Sequence, residues 1–235
     1  MAARPTPSPP TDPLALDVGV ATSAVHGMDR YLVESDARLF AACDGVGPYK
    51  SAGEAADLVV KVLRRRLAGL TGPLPSRERV ARLCGAINHA QDVSQMVRRW
   101  GETTCTAAWL GPHGAAWTSV GDSRLYHLHG ADLHQISVDE TDPRHAHVLT
   151  NYVGKLRFRV AWVTHQRGWL TLAPADALIL TTDGIHGSEP ADFLTADELA
   201  AAMANQPTAQ TAADALLAAG RKHDDRTAIV GRVLS

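Results

Sequence analysis

Two pairs of helical segments, each set between stretches of short strands, constrain this chain more than any single motif. In the first pair, Ser51-x-x-Glu54 has the form of a capping box, and Ala55, Leu58, Val59, Val62 and Leu63 follow at helical spacing. Arg64, Arg65 and Arg66 close that helix, where positive charge suits the C-terminal end of the dipole. After a Gly/Pro loop at 69–75, the pattern predicts a second helix over 76–99 with Val80, Leu83, Ile87 and Ala90 inward. In the second pair, Thr195-x-x-Glu198 opens a short Ala-rich helix, and another spans 208–219 and ends at Gly220 as a C′ residue. Between the pairs lie apolar runs of strand type. The first two, 16–25 and 30–35, read as a pair and are followed by 38–43. Further runs at 103–110, 115–120 and 124–129 are punctuated by GPHG and GDSR, both with the form of hairpin turns. The last runs are 157–164, 168–172, 177–181 and 226–234. This order predicts an α+β fold in which antiparallel sheets are covered by helical pairs.

Composition narrows the function classes. No run approaches the length of a membrane-spanning helix. Residues 1–13 are Pro-rich without an apolar segment, which predicts a flexible tail and no signal peptide. A net charge of −2 with no basic block gives no footprint for nucleic acid. Cys43, Cys84 and Cys105 lie far apart in apolar surroundings and read as buried thiols of a cytoplasmic protein.

Aspartate is the informative excess, at 18 residues against 7 glutamates. Three acidic sites sit at strand ends: Asp44 after LFAAC, Asp183 after LILTT, and Asp224 before TAIV. Asp122, in VGDSR, is a fourth. A neighbouring glycine lets the backbone bend and leaves each carboxylate at a sheet edge. Carboxylates gathered there repel one another unless a hard cation lies between them. Oxygen-only ligation favours Mg²⁺ or Mn²⁺ over Zn²⁺.

These residues resemble the metal-dependent serine/threonine protein phosphatases of type 2C, in family order over 17–234. DGVG at 44–47 is similar to the family's metal motif, with Gly53-Glu54 leading into the first long helix. Thr103-Thr104 resembles its strand start. VGDSRLYHLHGADLHQIS at 120–137 resembles its Gly-Asp-Ser-Arg hairpin, followed by Asp139-Glu140. TTDGIHG at 181–187 and DDRTAIV at 224–230 resemble its Ser-Asp-Gly-Leu and Asp-Asn-x-Thr segments.

The resemblance implies a four-layer αββα sandwich with two central antiparallel sheets flanked by helical pairs, formed by a single catalytic domain over 14–235. It implies that Asp44 bridges two Mn²⁺ or Mg²⁺ ions, that the Gly45 carbonyl ligates one, and that Asp183 and Asp224 complete the first ion's site. Asp29 would sit beside the second ion, and Asp122 would help form a third, looser site. Asp29, Asp44 and Asp183 are then the catalytic set, acting through a metal-activated water that attacks phosphorus in line. The implied substrate is phosphoserine or phosphothreonine on a protein, handled by a monomer with no nucleic-acid or membrane partner.

Departures cluster beside the chemistry. Ala24 stands where the family has its phosphate-binding Arg, Gly27 and Met28 replace its Asn and Glu/Gln, and Val46 replaces the His of eukaryotic members. Pro48, Gly187 and Asp225 also depart from the pattern. His26, Arg30 and Lys50 are the candidates to receive phosphate instead. These departures leave two alternatives: a pocket recast for a small phosphoester, or a domain that binds a partner without turnover. A phosphate loop at GVGPYKS fails on Asp44 and Tyr49. Zinc at His127, His129 and His134, or at His145 and His147, lacks a further ligand at metal spacing, and Ser123 lacks a His/Asp arrangement.

Overall fold

The computed structural model describes residues 14–36, 38–47, 50–70, 73–96, 101–156, 159–160 and 163–234. Its strands are β1 (Leu16–Ser23), β2 (Arg30–Glu34), β3 (Leu39–Cys43), β4 (Gly45–Val46), β5 (Gly101–Thr103), β6 (Cys105–Gly111), β7 (Gly114–Val120), β8 (Arg124–His129), β9 (Asp132–Gln135), β10 (Thr141–Asp142), β11 (His145–Leu149), β12 (Val153–Leu156), β13 (Arg159–Val160), β14 (Gln166–Thr171), β15 (Ala177–Thr181) and β16 (Arg226–Val233). The helices are α1 (Lys50–Leu67), α2 (Ser76–Met96), α3 (Asp183–His186), α4 (Ala196–Met203) and α5 (Ala209–Ala219).

The unbroken apolar runs mark strands buried on both faces. In β3, Leu39, Ala41 and Cys43 face a core shared with α1 and α2, while Phe40 and Ala42 point the other way. In β15, Ala177 and Ile179 face α4 and α5, while Leu178 and Leu180 meet Phe40 and Ala42 in a second core. One five-stranded sheet has the order β14-β7-β6-β3-β2 and the other β1-β16-β15-β8-β9. All their pairings are antiparallel. The layers are therefore α1/α2, sheet, sheet and α4/α5, an αββα sandwich. A four-stranded ribbon (β13-β12-β5-β4) and the β10-β11 hairpin are added at one end.

Several local expectations change. β1 and β2 do not pair: β1 lies against β16 and β2 against β3, in different sheets. Gly111–Gly114 does turn a hairpin, between β6 and β7. The GDSR segment instead carries the chain from β7 in one sheet to β8 in the other. Helix α1 begins at Lys50, so Ser51 lies within its first turn and does not precede it. The Thr195 capping box is present, with both reciprocal hydrogen bonds. Gly220 ends α5 at φ −55°, outside the left-handed region. Its need for glycine is steric, because a Cβ there would lie 2.8 Å from the Gly184 carbonyl oxygen. The strand expected at 157–164 is described only as β13, and the end of the helix expected to reach 99 lies outside the described residues. No helix among the described residues is long and apolar enough to cross a membrane.

Register brings the acidic segments to one end of the sandwich. Thr181 pairs with both Ala228 and Arg124, Ser23 with Arg226, Arg30 with Cys43, and Cys105 with Val120. The chain segments carrying Asp29, Asp44, Asp122, Asp183 and Asp224 therefore meet at that end.

Candidate metal centre

Asp44 follows the last residue of β3, and two threonines hold its backbone. Its N–H donates to Thr104 Oγ1 at 2.9 Å. Its carbonyl accepts from Thr104 N at 2.9 Å and Thr103 Oγ1 at 2.8 Å. Thr104 Oγ1 lies 2.6 Å from Ser123 Oγ, which ties the segment to the sheet crossing that carries Asp122. Glu140 fixes that crossing from the other side, accepting from Gly121 N at 2.8 Å. Gly45 cannot be larger, because a Cβ would lie 2.7 Å from the Ala52 carbonyl carbon and 2.9 Å from the Met28 carbonyl oxygen.

Asp29 is placed by an anion cradle. The Asp225 carboxylate accepts backbone N–H bonds from Val25, His26, Gly27, Met28 and Asp29, the Val25 bond at 2.5 Å and the Asp29 bond at 3.1 Å. Burial alone would raise the Asp225 carboxyl, but these donors outweigh it and hold it at about 2. Asp29 Oδ2 then accepts from Thr182 Oγ1 at 2.8 Å and Thr227 Oγ1 at 2.7 Å.

Asp29, Asp122, Asp183 and Asp224 all raise the Asp44 carboxyl by charge repulsion, after burial, so the five carboxylates share one electrostatic site. Burial pushes Asp29 up to about 6 against the opposing threonine hydrogen bonds. Burial, then Asp183 and Asp139, push Asp122 up to about 7. Asp44, Asp122, Asp183 and Asp224 line a cavity of about 980 Å³, with His147 of β11 at its wall. Lys222 Nζ bonds Asp183 Oδ2 and lies 3.0 Å from Asp224 Oδ2. Buried Asp29 Oδ1 and Asp183 Oδ1 have no hydrogen-bond partner among the described residues.

The residues expected to receive phosphate are distributed unevenly. His26 lines the cavity, exposed, 3.9 Å from Asp224 Oδ1. Arg30 also lines it, but its guanidinium donates to the Gly27 and Asp29 carbonyls at 3.0 and 2.7 Å and pairs with Asp57 at 3.5 Å. The Lys50 side chain lies outside the described residues. Sequence reasoning missed three positioning groups: Asp225, Lys222 and Glu140. The doubled Asp224-Asp225 was the one visible signal, since the second acid needed a role of its own.

The histidine question also changes. His127 Nε2 and His129 Nδ1 both reach Asp176, at 2.9 and 2.7 Å, a carboxylate 47–49 residues further along the chain. These three groups satisfy one another at the end of the sheets distant from Asp44. Ser123 is buried and bonded to Thr104, which leaves it no access as a nucleophile.

The donor set at the carboxylate end fits hard divalent cations. It is all oxygen, it carries excess negative charge, and two buried carboxylate oxygens there lack a partner among the described residues.

Comparison with solved structures gives the same architecture. The Mycobacterium tuberculosis serine/threonine phosphatase PstP/Ppp superposes with a TM-score of 0.76 at 20% identity, covering 94% of this chain and 99% of that one. The PstP catalytic domain in complex with two manganese ions gives 0.75 at 21% identity, covering 94% and 100%. PppA, a regulatory component of the type VI secretion system of Pseudomonas aeruginosa, gives 0.75 at 23%, covering 94% and 99%. No curated protein sequence matches the chain significantly. The protein phosphatase 2C family model matches residues 26–220, which run from the cradle loop to the end of the second helical pair. With that model spanning most of its length and the carboxylates meeting where its strands end, the chain belongs to the protein phosphatase 2C family.

Proposed function

We propose that this chain is a metal-dependent phosphatase acting on phosphoserine and phosphothreonine of proteins, with Mn²⁺ or Mg²⁺ as cofactor. The observation that carries this reading is the convergence of Asp29, Asp44, Asp122, Asp183 and Asp224, with two buried oxygens lacking a partner among the described residues. Asp44 and the Gly45 carbonyl would hold two ions between them, Asp183 and Asp224 would complete one site, Asp29 would flank the other, and Asp122 would serve a third. Such ions, when bound, make a water acidic enough to act as nucleophile near neutral pH and offset charge on the phosphoryl group.

The chain's own residues supply placement. The Thr103/Thr104 clamp holds Asp44, and the Thr182 and Thr227 hydroxyls fix the Asp29 carboxylate through its Oδ2. His26 stands at the cavity rim, where an imidazole N–H can donate to a phosphoryl oxygen. Arg30, spent on two carbonyls and Asp57, serves better to brace the loop than to bind phosphate. An open cavity of this size admits a phosphorylated side chain still attached to its peptide. Three buried, unpaired thiols fit a reducing cytoplasm, and 14–235 would act as one monomeric catalytic domain.

The test is hydrolysis of p-nitrophenyl phosphate and of a phosphothreonine peptide with Mn²⁺, beside Asp44→Ala and Asp183→Ala. Loss of both activities in the variants is expected. Equal rates in all three proteins overturn the enzyme reading. Mn²⁺ binding without hydrolysis by the parent protein would leave the partner-binding alternative in its place.

A further inference from the structure

One cation already sits within this site, and it belongs to the chain. Lys222 lies in the loop after α5, two residues before Asp224. Its Nζ bonds Asp183 Oδ2 and Asp224 Oδ2, the second at 3.0 Å. The loop is braced, because Arg226 grips the Lys222 carbonyl with Nε at 3.1 Å and Nη2 at 2.7 Å. Asp224 Oδ1 accepts the Asp225 backbone N–H at 2.9 Å, which leaves Oδ2 as the oxygen turned to the ammonium.

We propose that Lys222 is a tethered counter-ion that competes with the divalent cation for Asp183 and Asp224, so that metal loading requires its ammonium to be displaced. This inference rests on the metal-centre reading above and deepens it. An ammonium and a divalent ion cannot occupy the same two carboxylate oxygens, since they compete for the same lone pairs and their like charges repel at contact distance. The lysine also serves the metal-free protein by offsetting repulsion among carboxylates that would otherwise stand unpaired. The consequence is a phosphatase with weakened metal affinity at the Asp183/Asp224 site, responsive to the level of free Mn²⁺ or Mg²⁺.

The experiment is a calorimetric titration of Mn²⁺ alone into the parent protein, Lys222→Met and Lys222→Arg, with melting curves of each with and without metal. Lys222→Met, which keeps an unbranched stem and removes the charge, should bind Mn²⁺ roughly ten-fold tighter or more. It should also melt lower than the parent without metal and gain more from saturating Mn²⁺. Lys222→Arg keeps the charge and should stay near the parent affinity. Unchanged or weaker binding in a folded Lys222→Met overturns the inference while leaving the metal centre standing. No Mn²⁺ binding by any of the three proteins overturns the metal-centre reading itself. If Lys222→Met does not fold by circular dichroism, Lys222→Gln carries the same expectation and is read the same way.

Discussion

The carboxylate of Asp225 holds the backbone N–H of Asp29 at 3.1 Å across 196 residues of chain. Through that bond and the four beside it, one acidic side chain sets the course of the whole 25–29 loop. Asp225→Ala leaves these donors without an acceptor and should cost about 2–4 kcal/mol, read as a lowered urea midpoint. Phosphatase activity should fall with it, because Asp29 loses its orientation. A stability within error of the parent would show the cradle to be incidental.

Thr104 tests the clamp on Asp44. Thr104→Val keeps the shape but removes the hydroxyl that accepts Asp44 N–H and meets Ser123. The expected loss is about 1–3 kcal/mol together with a lower kcat, and Thr104→Ser should restore both. A Val variant with full activity would show that the backbone bonds alone hold Asp44.

pH acts on the metal-free protein through the raised carboxyls. Asp29 at about 6 and Asp122 at about 7 bind protons more tightly when folded than the ordinary aspartate value of 3.8. Their contribution to stability is fully present below about pH 4 and is lost as pH rises through 6 to 7. Three groups act in the opposite sense. One is Asp225, whose loss falls toward pH 2. The others are the imidazoles of His165, pushed down to about 4 by burial, and His186, pushed well below the ordinary histidine value, which cost stability as pH falls below about 6.5. Saturating Mn²⁺ should therefore raise the melting temperature more at about pH 8 than at about pH 5, because protons held on Asp29 and Asp122 compete with the ions. A Mn²⁺-induced rise that is equal or larger at about pH 5 would contradict the coupling.

Gly45 tests how closely helix α1 packs under the metal loop. A methyl at this position meets Ala52 and the Met28 carbonyl below 3 Å, so backbone has to move. Gly45→Ala should lose about 1–3 kcal/mol and bind Mn²⁺ more weakly by calorimetry. Parent-like binding would remove the Gly45 carbonyl from the site.

Much of the architecture was legible because burial writes itself locally. LFAAC and ALILT are continuous apolar runs since each strand packs a helix pair on one face and the opposite sheet on the other. Thr195 announces its helix through bonds only three residues long, and Thr208 does the same in the structure without having been read as a cap from the sequence. Partners are different. The spacing of β1 and β2 suggested a hairpin, yet they belong to separate sheets, because periodicity reports which face is buried and not what covers it. GDSR has the composition of a tight turn and serves instead as a crossing.

The sequence by itself determined the strand ends, the helical pairs and the positions of Asp44, Asp122, Asp183 and Asp224, since each depends on a few adjacent residues. Only the tertiary structure decided that Asp225 cradles the Asp29 loop and that Lys222 pairs with Asp183 and Asp224. The physical reason is the range of the forces involved. A carboxylate draws backbone donors or an ammonium from any part of the chain that folding brings within hydrogen-bonding distance, and such an approach leaves no periodic mark on the sequence.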